Sequence, residues 1–275
     1  MSSTSGGKEA SPFEPLPSPG SSFNICIPTG FNALHIQYAV GGGGGATGGI
    51  DYDKAGGESS GPAGGSGAYL SDVIFSVIEG NCYASSTGNG GAAGNQTANF
   101  KHPRIGSSGT LTKVTGLFQL NPGGGASLTG GGVKGPLASG SGGSAGSISI
   151  TGTRITSGSF FNSSNDLITI GNVSELNQGP RGTFNQSGNG AAGGWNGNST
   201  GDNNPIAGTN GATSYGGSVA GGAGGSSAGA GTNGSNGTRG SGGGGGPHAQ
   251  TRGGLNGGSG GVGEMKYRFL NVFGT

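Results

Sequence analysis

The chain has 275 residues, of which 73 are glycine and 12 proline, several times the roughly 12% that these two residues contribute to an average protein. An ordinary globular domain is excluded. Charged residues are 8% of the total and the net charge is +1, which leaves neither a basic footprint for nucleic acid nor the self-repulsion that keeps strongly charged chains unfolded. The hydrophobic share of 29% requires a core that is small for the length, or one built partly from something other than side chains.

Residues 1–21 (MSSTSGGKEASPFEPLPSPGS) lack the apolar stretch of a signal peptide, and no run in the chain reaches the 18 or so apolar residues of a membrane helix. Pro12, Pro15, Pro17 and Pro19 bias 11–20 toward an extended conformation. Residues 1–21 therefore read as an arm, with Phe13 and Leu16 exposed for docking into a partner, and 22–275 as one glycine-rich domain. Residues 23–28 read as a strand and as the first arm of a hairpin. The second arm, 33–40, alternates Leu34, Ile36, Tyr38 and Val40 with Ala33, His35, Gln37 and Ala39, the period of a half-buried strand with His35 on its polar face.

Residues 69–79 (YLSDVIFSVIE) are apolar on both faces and read as a central strand. Further strands are expected at 110–120, 147–156, 166–173 and 263–273. No stretch has helical periodicity, and glycine and β-branched residues oppose helices throughout. The expected fold is all-β with no α-helix, a strand framework interrupted by glycine-rich excursions.

Those excursions are periodic. Glycine recurs at Gly231, Gly234, Gly237, Gly240, Gly243 and Gly246, and the phase reaches back through Gly225, Gly222 and Gly216, missing only at Val219 and Ala228. Shorter runs keep the same step at Gly61, Gly64, Gly67; at Gly88, Gly91, Gly94; at Gly140, Gly143, Gly146; and at Gly254, Gly257, Gly260, Gly263. A glycine every third residue matches an extended three-residue helix without internal hydrogen bonds, whose peptide groups must bond sideways. Thr, Asn, Ser and Ala fill the intervening positions instead of proline, which disfavours a collagen triple helix. Packed polyglycine-II helices are the expectation. At ~3.1 Å per residue, 216–246 would stretch roughly 95 Å, so it must fold back in a body of about 19 Å radius of gyration, most naturally at Val219 and Ala228.

Little in the chain reads as chemistry. Cys26 and Cys82 sit in or beside apolar strands and read as unpaired buried thiols. His35, His102 and His248 have no metal-type spacing, and Asp51, Asp53 and Glu58 read as a solvated loop. A Gly-x-Ser-x-Gly pattern occurs at 57–61, 142–146 and 257–261 without the strand–helix context that a hydrolase needs. No enzyme activity, cofactor or metal is expected. Trp195, the sole tryptophan, has no apolar neighbours in sequence and reads as an exposed contact residue. Loops 50–60, 195–215 and 247–252 are the expected recognition elements, with Tyr52, Trp195, Tyr215, His248 and Arg252 as contacts, because aromatic and arginine side chains dominate interface energetics.

The segment FNICIPTGFNALHIQYAV followed by five glycines resembles the opening of glycine-rich domains at the ends of tailed-bacteriophage fibres, and the closing GGSGGVGEMKYRFL resembles the strand that ends them. The alternation of glycine tracts with polar loops is similar to the distal adhesins of T-even-type phages, in which packed polyglycine-II helices hold receptor-binding loops. That resemblance implies a virion protein at a tail-fibre tip, made in the host cytoplasm, with other virion proteins and a host cell-surface receptor as partners, and with neither nucleic acid nor membrane insertion. A structural capsid or tail decoration protein is the alternative. An ice-binding protein of the same helices would want a flat regular face, which the varied residues at 232–239 do not supply.

Overall fold

The computed structural model describes residues 10–47, 58–59, 61–94, 105–129, 139–171, 186–188, 198–199, 234–246 and 256–274. The strands are β1 Ser22–Cys26, β2 Ala33–Val40, β3 Glu58–Ser59, β4 Tyr69–Ser76, β5 Cys82–Ser86, β6 Thr112–Val114, β7 Phe118–Leu120 and β8 Ser127–Thr129. They continue with β9 Ser139–Ser141, β10 Ile148–Ile150, β11 Ser159–Phe161, β12 Leu167–Thr169, β13 Gln186–Gly188, β14 Asn198–Ser199 and β15 Glu264–Leu270. No helix occurs among the described residues, and all strand pairs are antiparallel, so the fold is all-β as the composition requires.

Two sheets carry the apolar core. The first has the order β13-β4-β2-β15 and the second β1-β5-β6-β7-β10. Leu34, Ile36, Val73, Phe75, Met265 and Phe269 of the first meet Ile25, Val114, Phe118 and Leu120 of the second, with the Phe75 and Phe118 rings stacked 5.7 Å apart. The opposite face of the first sheet is also covered. There Ala33, Ile74 and Leu270 pack on Phe160, Ile168 and Ile170 of the β11–β12 hairpin, and Ala10 of the N-terminal arm joins them. Strands β2 and β4 are interior and buried on both faces, which is why the 69–79 run has no polar side.

Several expectations fail at the level of long-range partners. β1 does not form a hairpin with β2: both edges of β2 are taken, by β4 and β15, and β1 pairs with β5 in the other sheet. That pairing sets Cys26 directly opposite Cys82, and the two form a disulfide instead of the expected free thiols. His35 lies on no polar face; it is 2% exposed under the arm. Residues 110–120 fold into the β6–β7 hairpin, turning at Gly116 with φ +84°. Of 147–156 only β10 is strand, and Arg154 makes a single bridge to Phe75.

Above the sheets, the glycine tracts form segments g1 (41–47), g2 (61–68), g3 (88–94), g4 (106–110), g5 (121–126), g6 (143–147), g7 (234–238), g8 (241–246) and g9 (256–263). Their hydrogen bonds rotate with a period of three. In g1 the N–H groups of Gly41, Gly44 and Thr47 donate to g2, those of Gly42 and Gly45 to g4, and those of Gly43 and Ala46 to g9. The carbonyls follow the same rule: Gly42 and Gly45 accept from g5, Gly43 and Ala46 from g3, Gly44 and Thr47 from g8. Segment g1 is therefore the axis of a hexagonal bundle whose ring runs g2, g8, g9, g3, g4, g5. Each adjacent pair in that ring is also hydrogen-bonded, for example Gly64 N–H to Gly243 O and Gly260 N–H to Gly91 O. The antiparallel segments g2, g4 and g9 alternate around g1 with the parallel g8, g3 and g5. Segment g6 packs outside g2 and g5, and g7 outside g8 and g9.

This interior is made of peptide groups. Gly41 to Gly45 are buried, and a Cβ on Gly44 would overlap the carbonyl oxygen of Gly124. In g7 every third position, Gly234, Gly237 and then Gly240, is buried while Ser235, Asn236 and Thr238 are exposed, as the triplet phase predicts. The fold-back within 234–246 falls at Arg239 and Gly240, with φ +43° and +75°, and costs no phase; Val219 and Ala228 lie outside the described residues. Where bundle meets sheets, buried Thr112 ties them together: its hydroxyl donates to Val40 O at 2.8 Å and accepts from Gly88 N–H at 2.9 Å.

Gly44→Ala and Gly237→Val should each lower stability by at least about 3 kcal/mol, since a Cβ displaces a neighbouring chain and breaks its hydrogen bonds. Ala46→Gly, which only removes a tolerated methyl, should cost no more than ~1 kcal/mol; thermal melting that ranks the three equally refutes the bundle. Reducing the Cys26–Cys82 bond, which closes a separation of 56 residues, should cost about 2–4 kcal/mol. A melting temperature unmoved by reductant would show that the bridge contributes nothing.

Candidate functional site

The seven tracts that meet a strand of the two core sheets do so at one end. β2 runs into g1, g2 into β4, β5 into g3, g4 into β6, β7 into g5, g6 into β10 and g9 into β15. The opposite, distal end is where the excursions turn. There Gly246 N–H donates to Thr47 O, Gly61 N–H to Gly246 O, and Gly94 N–H to Ala46 O. The connections 48–60, 95–104 and 247–255 thus start and finish on neighbouring segments, and β8–β9 extends g5 and g6 beside them, bridged to Ile105 through Ser127.

The described residues that flank two of the expected recognition loops, 50–60 and 247–252, lie at this distal end, and β14, within the third, is brought to it. β14 lies inside 195–215 and pairs with β3 at the end of 50–60, Asn198 opposite Ser59 and Ser199 opposite Glu58. The five expected contact residues, Tyr52, Trp195, Tyr215, His248 and Arg252, lie outside the described residues. The described residues next to Tyr52, His248 and Arg252, at 47, 58–59, 246 and 256, and those of β14 after Trp195 lie at one end of a bundle held by backbone hydrogen bonds, while β13, the described segment before Trp195, pairs with β4 in the sheet at the other end.

The expected docking residues of the arm behave differently from each other. Leu16 is 50% exposed, as read from the sequence. Phe13 is not: the arm lies along the free edge of β15, with Ser11 N–H donating to Phe269 O and Glu14 N–H to Tyr267 O, and the Ser11 hydroxyl accepting from Phe269 N–H. Pro12 between those donors has no N–H to leave unpaired. The Phe13 ring covers the Arg268 guanidinium at 4.6 Å and the Lys266 ammonium at 4.9 Å, an arrangement that cation–π attraction favours. The arm thus blunts an edge strand of its own sheet.

Beneath Phe13 lies a buried polar cluster that no sequence spacing announced. Arg268 Nε–H donates to His35 Nδ1 at 3.1 Å, which leaves the His35 proton on Nε2 facing Asp72 Oδ1 at 3.3 Å. Asp72 reaches it from a left-handed backbone, φ +49°, with the Ser71 hydroxyl donating to its other carboxylate oxygen at 3.4 Å. Burial drives the His35 pKa below its ordinary 6.5, helped by the Arg268 charge and opposed by Asp72. Burial likewise pushes Arg268 down to about 10, against the pull of Asp72. The imidazole is a neutral link between a cation and an anion. Among the described residues no group of three or more His, Cys, Asp or Glu could hold a metal, and no helix is long and apolar enough to cross a membrane.

Because the folded state holds His35 neutral, its contribution to stability is full above pH 6.5 and is lost as pH falls from there toward the lowered folded pKa. The melting temperature of the parent should drop across that window, and His35→Gln should melt lower at pH 7 with a shallower drop. Equal slopes for the two proteins would remove His35 from the cluster's pH response.

Comparison with known proteins agrees with the glycine architecture. The pattern of a glycine-rich domain matches residues 18–269, spanning both sheets and the bundle. No curated protein is similar to the chain. Over residues 18–269, from the arm's last proline into β15, the chain belongs to the glycine-rich domain family.

Proposed function

We propose that this protein is a phage adhesin, a virion protein of a tail-fibre tip that recognises a host cell-surface receptor through loops at the distal end of its polyglycine-II bundle. The observation that supports the reading is that the described residues flanking 48–60 and 247–255, together with the β3–β14 pair, meet at one end of the bundle. Such a scaffold takes its rigidity from main-chain bonds, so the loops can change residue by residue without unsettling what holds them. The cross-strand disulfide suits a particle that works outside the cell, in an oxidising medium. The arm's packing onto β15 leaves Leu16, not Phe13, as its apolar contact for a virion partner.

A double variant, Trp195→Ala with Tyr215→Ala, should weaken adsorption of the purified protein to washed host cells by at least about thirtyfold, the equivalent of ~2 kcal/mol. Its stability should stay within about 0.5 kcal/mol of the parent, as exposed substitutions do. Unaltered adsorption would take both residues out of the site. A parent that binds no host cell would favour the structural role in a capsid or tail.

A further inference from the structure

The two core sheets treat their edges differently. In the first, the arm covers the outer edge of β15, with the N–H groups of Ser11 and Glu14 on Phe269 O and Tyr267 O. In the second, β1 is an outermost strand with β5 on one side only. Ile27 N–H donates to Asn81 O, and Thr87 N–H donates to Ser21 O, so the odd-numbered residues of this stretch turn their peptide groups toward β5. Those of Ser22, Asn24 and Cys26 point the other way, out of the edge of the sheet. All three residues are exposed, and among the described residues no partner bonds these outward peptide groups.

An unpaired strand edge is a template for association, and proteins blunt such edges with lysine, proline or a bulge. β1 has none of these: Ser22–Cys26 contains neither charge nor proline, and its register with β5 is unbroken. The neutrality extends well beyond the strand, since no Asp, Glu, Lys or Arg occurs from Pro15 to Leu34 or from Gly80 to Phe100. A strand that meets its own copy across a two-fold axis has to avoid charge, because a charge near the axis faces itself. β1 is also self-complementary. With the axis at Asn24, antiparallel pairing sets Asn24 opposite Asn24 of a second copy and Ser22 opposite its Cys26, through about six main-chain hydrogen bonds. Phe23 then falls opposite Ile25 of the second copy, at the closer spacing of a non-hydrogen-bonded pair. Phe23 is half-buried at the rim of the apolar core and Ile25 lies inside it, so the pairing covers the exposed part of Phe23 and joins the two cores.

We propose that β1 is a self-association surface, through which two copies of this chain pair antiparallel into one continuous sheet. An interface of one strand pair and one aromatic side chain is smaller than the standard ~1,600 Å², so the dimer is a reversible one. The surface is apart from the distal loops and does not depend on the adhesin reading. Sedimentation velocity of the full chain from about 1 to 300 μM should show monomer passing to dimer, with a dissociation constant of roughly 10–100 μM. Asn24→Lys and Asn24→Glu, which each set like charges against one another at the axis, should weaken the dimer at least about fivefold. An equimolar mixture of the two should recover the parent affinity to within about twofold, because opposite charges then face each other. Asn24→Lys should melt within about 2 °C of the parent, since it touches no bond to β5. Leu167→Ser, at another exposed apolar side chain, should dimerise as the parent does. The proposal is overturned by a parent that stays monomeric throughout the range, by a dimer that either Asn24 variant leaves intact, or by a mixture as weak as its components. It is overturned equally by a dimer that Leu167→Ser abolishes, or by an Asn24→Lys protein that melts well below the parent, because the edge would then be engaged within a single copy.

Discussion

The hydrogen bond between peptide groups of neighbouring extended segments is the interaction on which this molecule depends. Along g1 each successive residue turns to a new partner, so that a stretch of 41–47 satisfies its backbone against six surrounding segments. Ordering glycine costs more conformational entropy than ordering any other residue, and each intramolecular hydrogen bond returns only about 0.5–1.5 kcal/mol net. A single glycine helix in water would not survive that balance. Six partners around one axis remove water from the peptide groups and pair every N–H of 41–47 and the carbonyls of 42–47, which makes the bundle cooperative: no segment is stable until most of its neighbours are in place.

The sheets supply what the bundle lacks. Antiparallel pairing of β2 with β4 and β15, over a core of Leu34, Ile36, Phe75 and Met265, fixes the point from which g1, g2 and g9 start. With those origins set, loop closure brings the tracts into contact at little additional entropic cost. Thr112 joins the two regimes, one hydroxyl serving the end of β2 and the beginning of g3. Apolar burial thus anchors the base, and main-chain bonding extends the body away from it to the end where the described tracts finish.

How much of this could be read beforehand follows from range. The bundle was legible because exclusion of side chains from a crowded axis leaves a local mark, glycine at every third position, as Gly234, Gly237 and Gly240 show. The paired faces of β4 were legible for the same local reason. The partition of β1 and β2 between two sheets was not, nor was the Cys26–Cys82 bridge, because both depend on which strand occupies an edge far away in sequence. His35 looked polar-faced since alternation in β2 reports two faces but not what covers the second. Of the candidate site, composition suggested which loops to consider, and topology showed that described residues flanking or within them meet at one end of the bundle.

The rotation of partners around g1 also sets a rule for how such a chain can change length. Inserting or deleting one residue within a tract would turn every later peptide group by a third of a revolution and hand its hydrogen bonds to the wrong neighbour. A change of three residues restores the phase and merely lengthens or shortens the column. Gene copying errors in repetitive glycine codons would therefore pass through this fold in steps of nine nucleotides, while the connections at the distal end can gain or lose residues singly. The length of the column would then evolve in quanta, and its connections continuously.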